Sequence, residues 1–241
     1  MTIESAAAVL RDAKHVVIFT GAGVSAESGV PTFRSDANAL WREVDIRNFA
    51  YPDGYRRNHP AAWRWYAQRA AKVREVMPNA AHEAIAEIER RVPEFLLITQ
   101  NVDGLHQRAG SRNVLELHGN LREARCFDCG ERSPWVADPV CAACGGLLRP
   151  DVVMFEEELP PGAMDRAREA AESCDVLLSV GTSNLVWPAT EVPRYALRSG
   201  AEVVIINPDM SGQPIGRKIT HLVGAAGTIL PEVVRIAYAN L

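Results

Sequence analysis

No apolar run in this chain is long enough to cross a bilayer. The first, Val16 to Phe19, is a fraction of the roughly 20 residues a spanning helix needs, and Lys14 and His15 precede it. No secretory leader is expected, no membrane partner, and a cytoplasmic location. Clustered positive charge is equally scarce. Twenty-six Lys and Arg against 30 Asp and Glu leave a net charge of −4, and Arg56-Arg57, Arg90-Arg91 and Arg122 with Arg125 are short, interrupted groups. Phosphate-backbone binding needs a basic face, so direct nucleic-acid binding is not expected. Internal repeats and low-complexity linkers are missing too. With 241 residues and 47% apolar content, one large globular domain and a smaller one are the expectation.

Cysteine is sparse, at five residues, but four of them are paired: Cys126-x-x-Cys129 and Cys141-x-x-Cys144. Two such pairs suit a closed tetrahedral zinc site with no open position for chemistry. In a reducing compartment metal explains them better than disulfides, the alternative being two bridges. Cys174, before an apolar strand, reads as a core thiol. If the metal is structural, chemistry lies elsewhere, and His118, at the mouth of this segment, is the first candidate.

Apolar strands are expected at His15–Thr20, Glu94–Thr99, Asn113–Leu117, Asp175–Val180 and Ala201–Ile206, with helices at Pro60–Val76 and Pro188–Arg198. Strands alternating with helices imply a parallel sheet covered on both faces. Two stretches break the rhythm. Residues 36–78 are aromatic and strand-poor, and 119–150 carry the cysteines but few large apolar residues. Both are read as a small helical, zinc-binding domain inserted into a Rossmann-like domain of residues 1–35, 79–118 and 151–241. Zinc would stand in for a core that so short a segment lacks.

Gly21-Ala22-Gly23-Val-Ser25-Ala follows the first strand and fits the G-x-G-x-x-A dinucleotide fingerprint, where glycine lets backbone amides approach a pyrophosphate. A plain turn would use the same residues. The strand with a ribose-binding acid about 20 residues on is absent, which excludes an ordinary dehydrogenase. Further polar loops follow the other strands: Thr99-Gln100-Asn101-Val102-Asp103, Gly181-Thr182-Ser183, and Asn207-Pro208-Asp209. Ligands of open α/β sheets bind beyond the carboxyl ends of the strands, where all of these lie with His118.

Gly21 through Glu27 to Arg34, Thr99-Gln-Asn-Val-Asp-Gly-Leu-His106, His118-Gly119, the four cysteines and Gly181-Thr-Ser183 closely resemble the sirtuins, in family order, over about residues 10 to 230. The resemblance implies NAD-dependent removal of acyl groups from protein lysines, with NAD as co-substrate and one structural zinc. It implies that Gly21, Ala22, Gly23, Ser25 and Glu27 line the first NAD loop, and that Phe33 and Arg34, with Trp41 nearby, cover the nicotinamide ribose. Gln100 would bind that ribose; Asn101, Val102 and Asp103 would serve the nicotinamide pocket, with Asn101 sharing in catalysis. Gly181, Thr182, Ser183, Asn207, Pro208, Asp209 and Ala225 would hold the adenosine half. His118 would be the general base, taking a proton from a ribose hydroxyl once the acyl oxygen has displaced nicotinamide; water then releases lysine and O-acyl-ADP-ribose. Imidazole suits that step because its pKa lies near working pH. His82, near a helix start, is expected to be structural, His106 lies on a possible short helix after the NAD loop, and His15, His59 and His221 lack a constellation.

Tyr66 and Arg69 share a helical face, and arginine matches a carboxylate bidentately. This Tyr-x-x-Arg, with Ala26-Glu27 and Thr32, resembles the sirtuins that remove succinyl and malonyl groups. A surface arginine beside a core tyrosine is the plainer reading, since Trp63, Tyr66, Ala70 and Val73 form an apolar stripe. Acyl-lysine peptides are the expected partners, lying along Val153 and Phe155. There the chain departs from the family: Glu156 follows Phe155 where a glycine is usual. The alternatives are ADP-ribosyl transfer from the same NAD site, a non-catalytic NAD or ADP-ribose sensor, and a zinc-ribbon nucleic-acid binder.

Overall fold

The computed structural model describes residues 2–31 and 43–239. Thr32, Phe33, Arg34 and Trp41 lie outside them. In chain order the elements are α1 (Ile3–Asp12), β1 (His15–Thr20), a 3-10 helix (Ala22–Ser28), α2 (Glu43–Phe49), α3 (Pro52–Arg57), α4 (His59–Glu75), α5 (Ala80–Arg91), β2 (Glu94–Thr99), α6 (Leu105–Arg108), β3 (Val114–Glu116), β4 (Gly119–Cys126), β5 (Arg132–Ser133), β6 (Leu148–Val152), α7 (Ala163–Ser173), β7 (Val176–Val180), α8 (Val192–Ser199), β8 (Glu202–Asn207), β9 (Ile219–Val223) and α9 (Ala226–Ala237). Among the described residues no helix is long and apolar enough to cross a membrane.

Six strands form one sheet in the order β3-β2-β1-β7-β8-β9, each neighbouring pair parallel. Alternate residues of each strand go to opposite faces, and both faces are covered. Val16, Ile18, Leu97, Leu178, Val204 and Ile206 pack into one core with residues of α1, α5 and α9. Val17, Phe19, Leu96, Ile98, Leu177, Val203 and Ile205 pack into the other, with residues of α7 and α8. This is the Rossmann-like, doubly wound sheet. The strand order reverses on either side of β1, so a crevice opens between the carboxyl ends of β1 and β7, where such sheets bind ligands.

A second, antiparallel sheet has the order β5-β4-β6. Its apolar packing comes largely from α3 and α4. Tyr55, Ala62, Tyr66 and Ala70 meet Leu121, Val152 and Met154, while Trp63 joins Ala124, Cys126, Cys141 and Leu148. Residues 119–150 thus share a core with helices contributed from earlier in the chain. Local rules set the helix starts. Asn79 caps α5 by accepting from the Ala81 amide at 2.9 Å, and its own amide donates to His82 Nδ1 at 3.2 Å.

The structure adds one strand to the parallel sheet beyond the expected five. β9 contains Thr220 and His221, so it lacks the continuous apolar run that marks a buried strand. The helix expected from Pro188 begins at Val192, with Pro193 in its first turn and a 3-10 turn, Ala189–Glu191, ahead of it.

Candidate functional site

Loops after β1, β2 and β7 converge over the crevice. The Gly23 amide donates to the Gly181 carbonyl at 2.8 Å, and a Cβ on Gly23 would lie 2.6 Å from that same oxygen. Here the glycine is required by loop-to-loop packing, a contact that any side chain would break. Gln100 Nε2 donates to Thr182 Oγ1 at 3.0 Å, tying the second loop to the third.

Behind this edge lies a buried polar network. His82 Nδ1 lies 3.2 Å from the Asn79 backbone amide and 3.1 Å from the Asn79 side-chain oxygen, and His82 Nε2 shares a hydrogen bond with Ser25 Oγ at 3.3 Å. Asn101 Nδ2 donates to Ser25, at 3.1 Å, and Ser25 passes its own proton to Asp103 Oδ2 at 2.8 Å. The other carboxylate oxygen of Asp103 accepts from the Leu105 amide at 2.9 Å. Burial raises the Asp103 pKa, against the pull of these hydrogen bonds. A second chain supports the loop from below. His106 Nε2 donates to Thr20 Oγ1 at 3.0 Å, Thr20 donates to Thr99 Oγ1 at 2.8 Å, and Thr99 accepts from the Asn101 amide at 3.1 Å. Burial pushes His82 down to about 4 and His106 well below the ordinary histidine value, so both are neutral.

His118 stands between the two sheets, after β3 and directly before β4. Gly119 has φ +74°, and a Cβ there would lie 2.1 Å from the Asp151 carbonyl, so only glycine lets the chain turn at this point. His118 Nδ1 lies 3.0 Å from the Gln100 carbonyl. A carbonyl only accepts, so Nδ1 holds the proton and Nε2 keeps its lone pair. Burial lowers the His118 pKa, partly offset by that hydrogen bond. The Val153 amide donates to the His118 carbonyl at 2.9 Å, which places the segment after β6 beside the histidine.

The sequence-derived residues are therefore distributed as a partly open row (Ala22, Gly23, Gln100, Val102, His118, Ser183 and Asn207) in front of a buried set (Ser25, Asn101, Asp103 and Thr182). Such a row of backbone groups, amides and hydroxyls along the carboxyl edge fits a dinucleotide. Glu27 does something more local: it accepts from the Gly227 amide at 2.6 Å, at the start of α9, next to Ala225. Asp209 accepts from the Ser211 amide at 2.8 Å, shaping the turn after β8 with Pro208. Tyr66 is buried beside Tyr55, with ring centroids 6.0 Å apart, and belongs to the same apolar group as Val102, Val152 and Met154. Burial pushes its phenol up to about 12, so it is a neutral donor. The Arg69 guanidinium lies over the Trp65 ring at 4.3 Å. Phe155 stacks on Tyr51 at 5.2 Å.

The contacts by which His82, His106, Thr20 and Thr99 support this network are not legible in the sequence. Their partners are 57 to 86 residues away along the chain, and no local spacing announces them.

The sulfurs of Cys126, Cys129, Cys141 and Cys144 lie within 4.8 Å of one another. Two of the separations are 3.5 Å (Cys126–Cys144) and 3.7 Å (Cys129–Cys141). Zinc–sulfur bonds of about 2.3 Å in a tetrahedron put sulfurs roughly 3.8 Å apart, so the set fits a zinc ion. The Asp128 and Gly146 amides donate to Cys126 and Cys144 at 3.3 and 3.4 Å, which favours thiolates.

The Sir2 family model matches residues 21–188. A Thermus thermophilus protein named NAD-dependent protein deacylase is 50% identical over 215 residues, 86% of this chain and 84% of the relative. NAD-dependent protein deacylase 1 of Pseudomonas aeruginosa is 46% identical, over 95% of this chain and 97% of its own. Among solved structures, a mutant Sir2 homologue complexed with ADP-ribose superposes with a TM-score of 0.91 at 42% identity, covering 99% of this chain and 97% of the other. A Sir2–p53 peptide–NAD+ complex gives 0.81 at 30% identity, covering 98% and 96%. With this sheet order, this cysteine set and these matches, the chain belongs to the Sir2 family.

Proposed function

We propose that the chain is an NAD-dependent protein lysine deacylase, yielding nicotinamide, free lysine and O-acyl-ADP-ribose. The observation that carries this reading is His118. Its Nδ1 is committed to the Gln100 carbonyl, so a neutral imidazole presents Nε2 as a base where the two sheets meet. When bound, NAD supplies the electrophilic ribose carbon and the nicotinamide leaving group. Ser25, Asn101 and Asp103, locked to one another, would hold the nicotinamide end. Gln100 would orient the ribose whose hydroxyl proton His118 takes. Ser183, Asn207 and Ala225 would hold the adenosine end. The four cysteines would keep a structural zinc away from the reaction. Acylated lysine peptides would lie along Val153 and Phe155, adding an extended strand beside the His118 loop.

The finer part of this reading is acyl choice. Tyr66 offers a neutral hydroxyl and Arg69 a planar cation within one turn of α4, a pair suited to the free carboxylate of a succinyl or malonyl group. The test mixes protein and NAD with equal amounts of acetyl-lysine and succinyl-lysine versions of one peptide, read by mass spectrometry. Preferential loss of succinyl, with matching O-succinyl-ADP-ribose, is expected. Arg69→Met should lower succinyl kcat/KM by about tenfold or more while sparing acetyl turnover. Loss of acetyl alone would remove the carboxylate role of Arg69. Protein-bound ADP-ribose without deacylation would replace the reaction by ADP-ribosyl transfer.

A further inference from the structure

The segment that leaves β6 is tied down at both ends by one guanidinium. Arg149 Nη2 donates to the Val152 carbonyl at 2.7 Å and to Glu157 Oε2 at 2.7 Å, while Nη1 donates to the other Glu157 oxygen. The carboxylate of Glu157 also accepts from the Met154 amide at 2.7 Å. The Arg149 side chain is only 3% exposed, and the Phe127 ring lies 4.7 Å from its guanidinium. Between these anchors, Val153 bonds the His118 carbonyl and the Phe155 amide donates to the Ala50 carbonyl at 2.8 Å. Glu156 is held at φ +70°, a left-handed conformation that an L side chain resists. That conformation carries a cost, which the bonds on either side of it offset.

We propose that Arg149 and Glu157 are positioning residues that hold the Val152–Glu157 segment in the form that receives the acyl-lysine peptide. The proposal rests on the deacylase reading, because it assigns the clamp to one substrate of that reaction. The clamp acts on the peptide side of His118. The dinucleotide loops after β1, β2 and β7 make none of its bonds. The clamp reaches the NAD side at one remove, through Val153 and His118 to Gln100 and through the packing of Val152 and Met154 on Val102, so its effect falls chiefly on the peptide. The arrangement calls for arginine specifically, since a lysine brings the charge but not the fork that reaches Val152 and Glu157 together.

Steady-state kinetics on an acetyl-lysine peptide, varying peptide and NAD separately, test this. Glu157→Gln should raise the peptide KM about tenfold, the usual scale for losing a charged hydrogen bond, with the NAD KM unchanged within about twofold. Adding Glu156→Gly to that variant should recover part of the loss, because glycine takes φ +70° without resistance. Should Glu157→Gln not fold, Arg149→Lys reads the same split. An unchanged peptide KM, a parallel rise of both KM values, or no recovery from the added glycine would overturn the proposal. Wild-type protein that turns over no acyl peptide would remove the deacylase reading and the clamp together. An active wild type with unaffected variants would remove the clamp alone.

Discussion

What its neighbours forbid suits His118 to the proposed role of general base. The Gln100 carbonyl takes the Nδ1 proton, so the ring has one tautomer, and burial keeps it neutral. A base must be unprotonated to act. Its pKa lies below the ordinary 6.5, so the form that could act as a base is already filled at neutral pH. On an acyl-lysine peptide kcat/KM should therefore climb from the acid side and level off with a midpoint under 6.5. His118→Tyr should lose that limb and lower turnover by about 10²- to 10⁴-fold, the usual share of a positioned base. Retained turnover in this variant, or a midpoint above 6.5, would count against the assignment. Glu156 shows a different residue-scale effect. The backbone turns left-handed at Glu156, a conformation that favours glycine, with a charged side chain in place.

Among the elements, the antiparallel sheet β5-β4-β6 depends most on groups outside ordinary packing. Cys126 ends β4, and the stretch that follows holds Cys129, then β5, then Cys141 and Cys144 before the chain returns as β6. Cys126→Ser should lose the metal by elemental analysis. It should also release the amides of β4 and β6 to hydrogen exchange while those of β1, β2 and β7 stay protected. A metal-free variant with β4 and β6 still protected would show that α3 and α4 hold this sheet without zinc. What the sequence revealed at this scale follows from how local each signal is. β1 and β2 were legible to the residue, because a run of four large apolar residues between polar loops has few other uses. The cysteine pairs were legible because ligand spacing is short-range chemistry. β4, with the sequence GNLREARC, was not legible: Arg122, Glu123 and Arg125 hide a strand whose pairing with β6 is visible only in space. The same reason hid the supports of Asn101, since Ser25 meets His82 and Thr20 meets His106 only once β1 and β2 are side by side.

For the whole molecule, the network behind the candidate site makes stability depend on pH through two buried histidines. His82 and His106 are buried, neutral and adjacent, with ring centroids 4.8 Å apart. In the unfolded chain both titrate near 6.5. In the folded protein His82 resists protonation to about pH 4 and His106 resists as well, partly through the charge that His82 would carry. Between those values the unfolded state binds more protons, so stability is fully present above 6.5 and is lost as pH falls toward 4. His118 acts in the same direction. Asp103 and Glu116, whose folded pKa values are raised by burial, act oppositely toward the acid end of the window and blunt the loss there. His82 alone accounts for on the order of 2–3 kcal/mol by pH 4. Urea unfolding from pH 7 to 4.5 should therefore show a steadily falling midpoint. His106→Gln, which keeps a donor toward Thr20 but cannot titrate, should flatten that slope by about one proton's worth, near 1.4 kcal/mol per pH unit at most. A midpoint constant across this range would mean that the two rings take up protons without unfolding. The hydrogen bonds between His82 and Ser25 and between His106 and Thr20 would then have to survive a positive charge in a nearly dry interior.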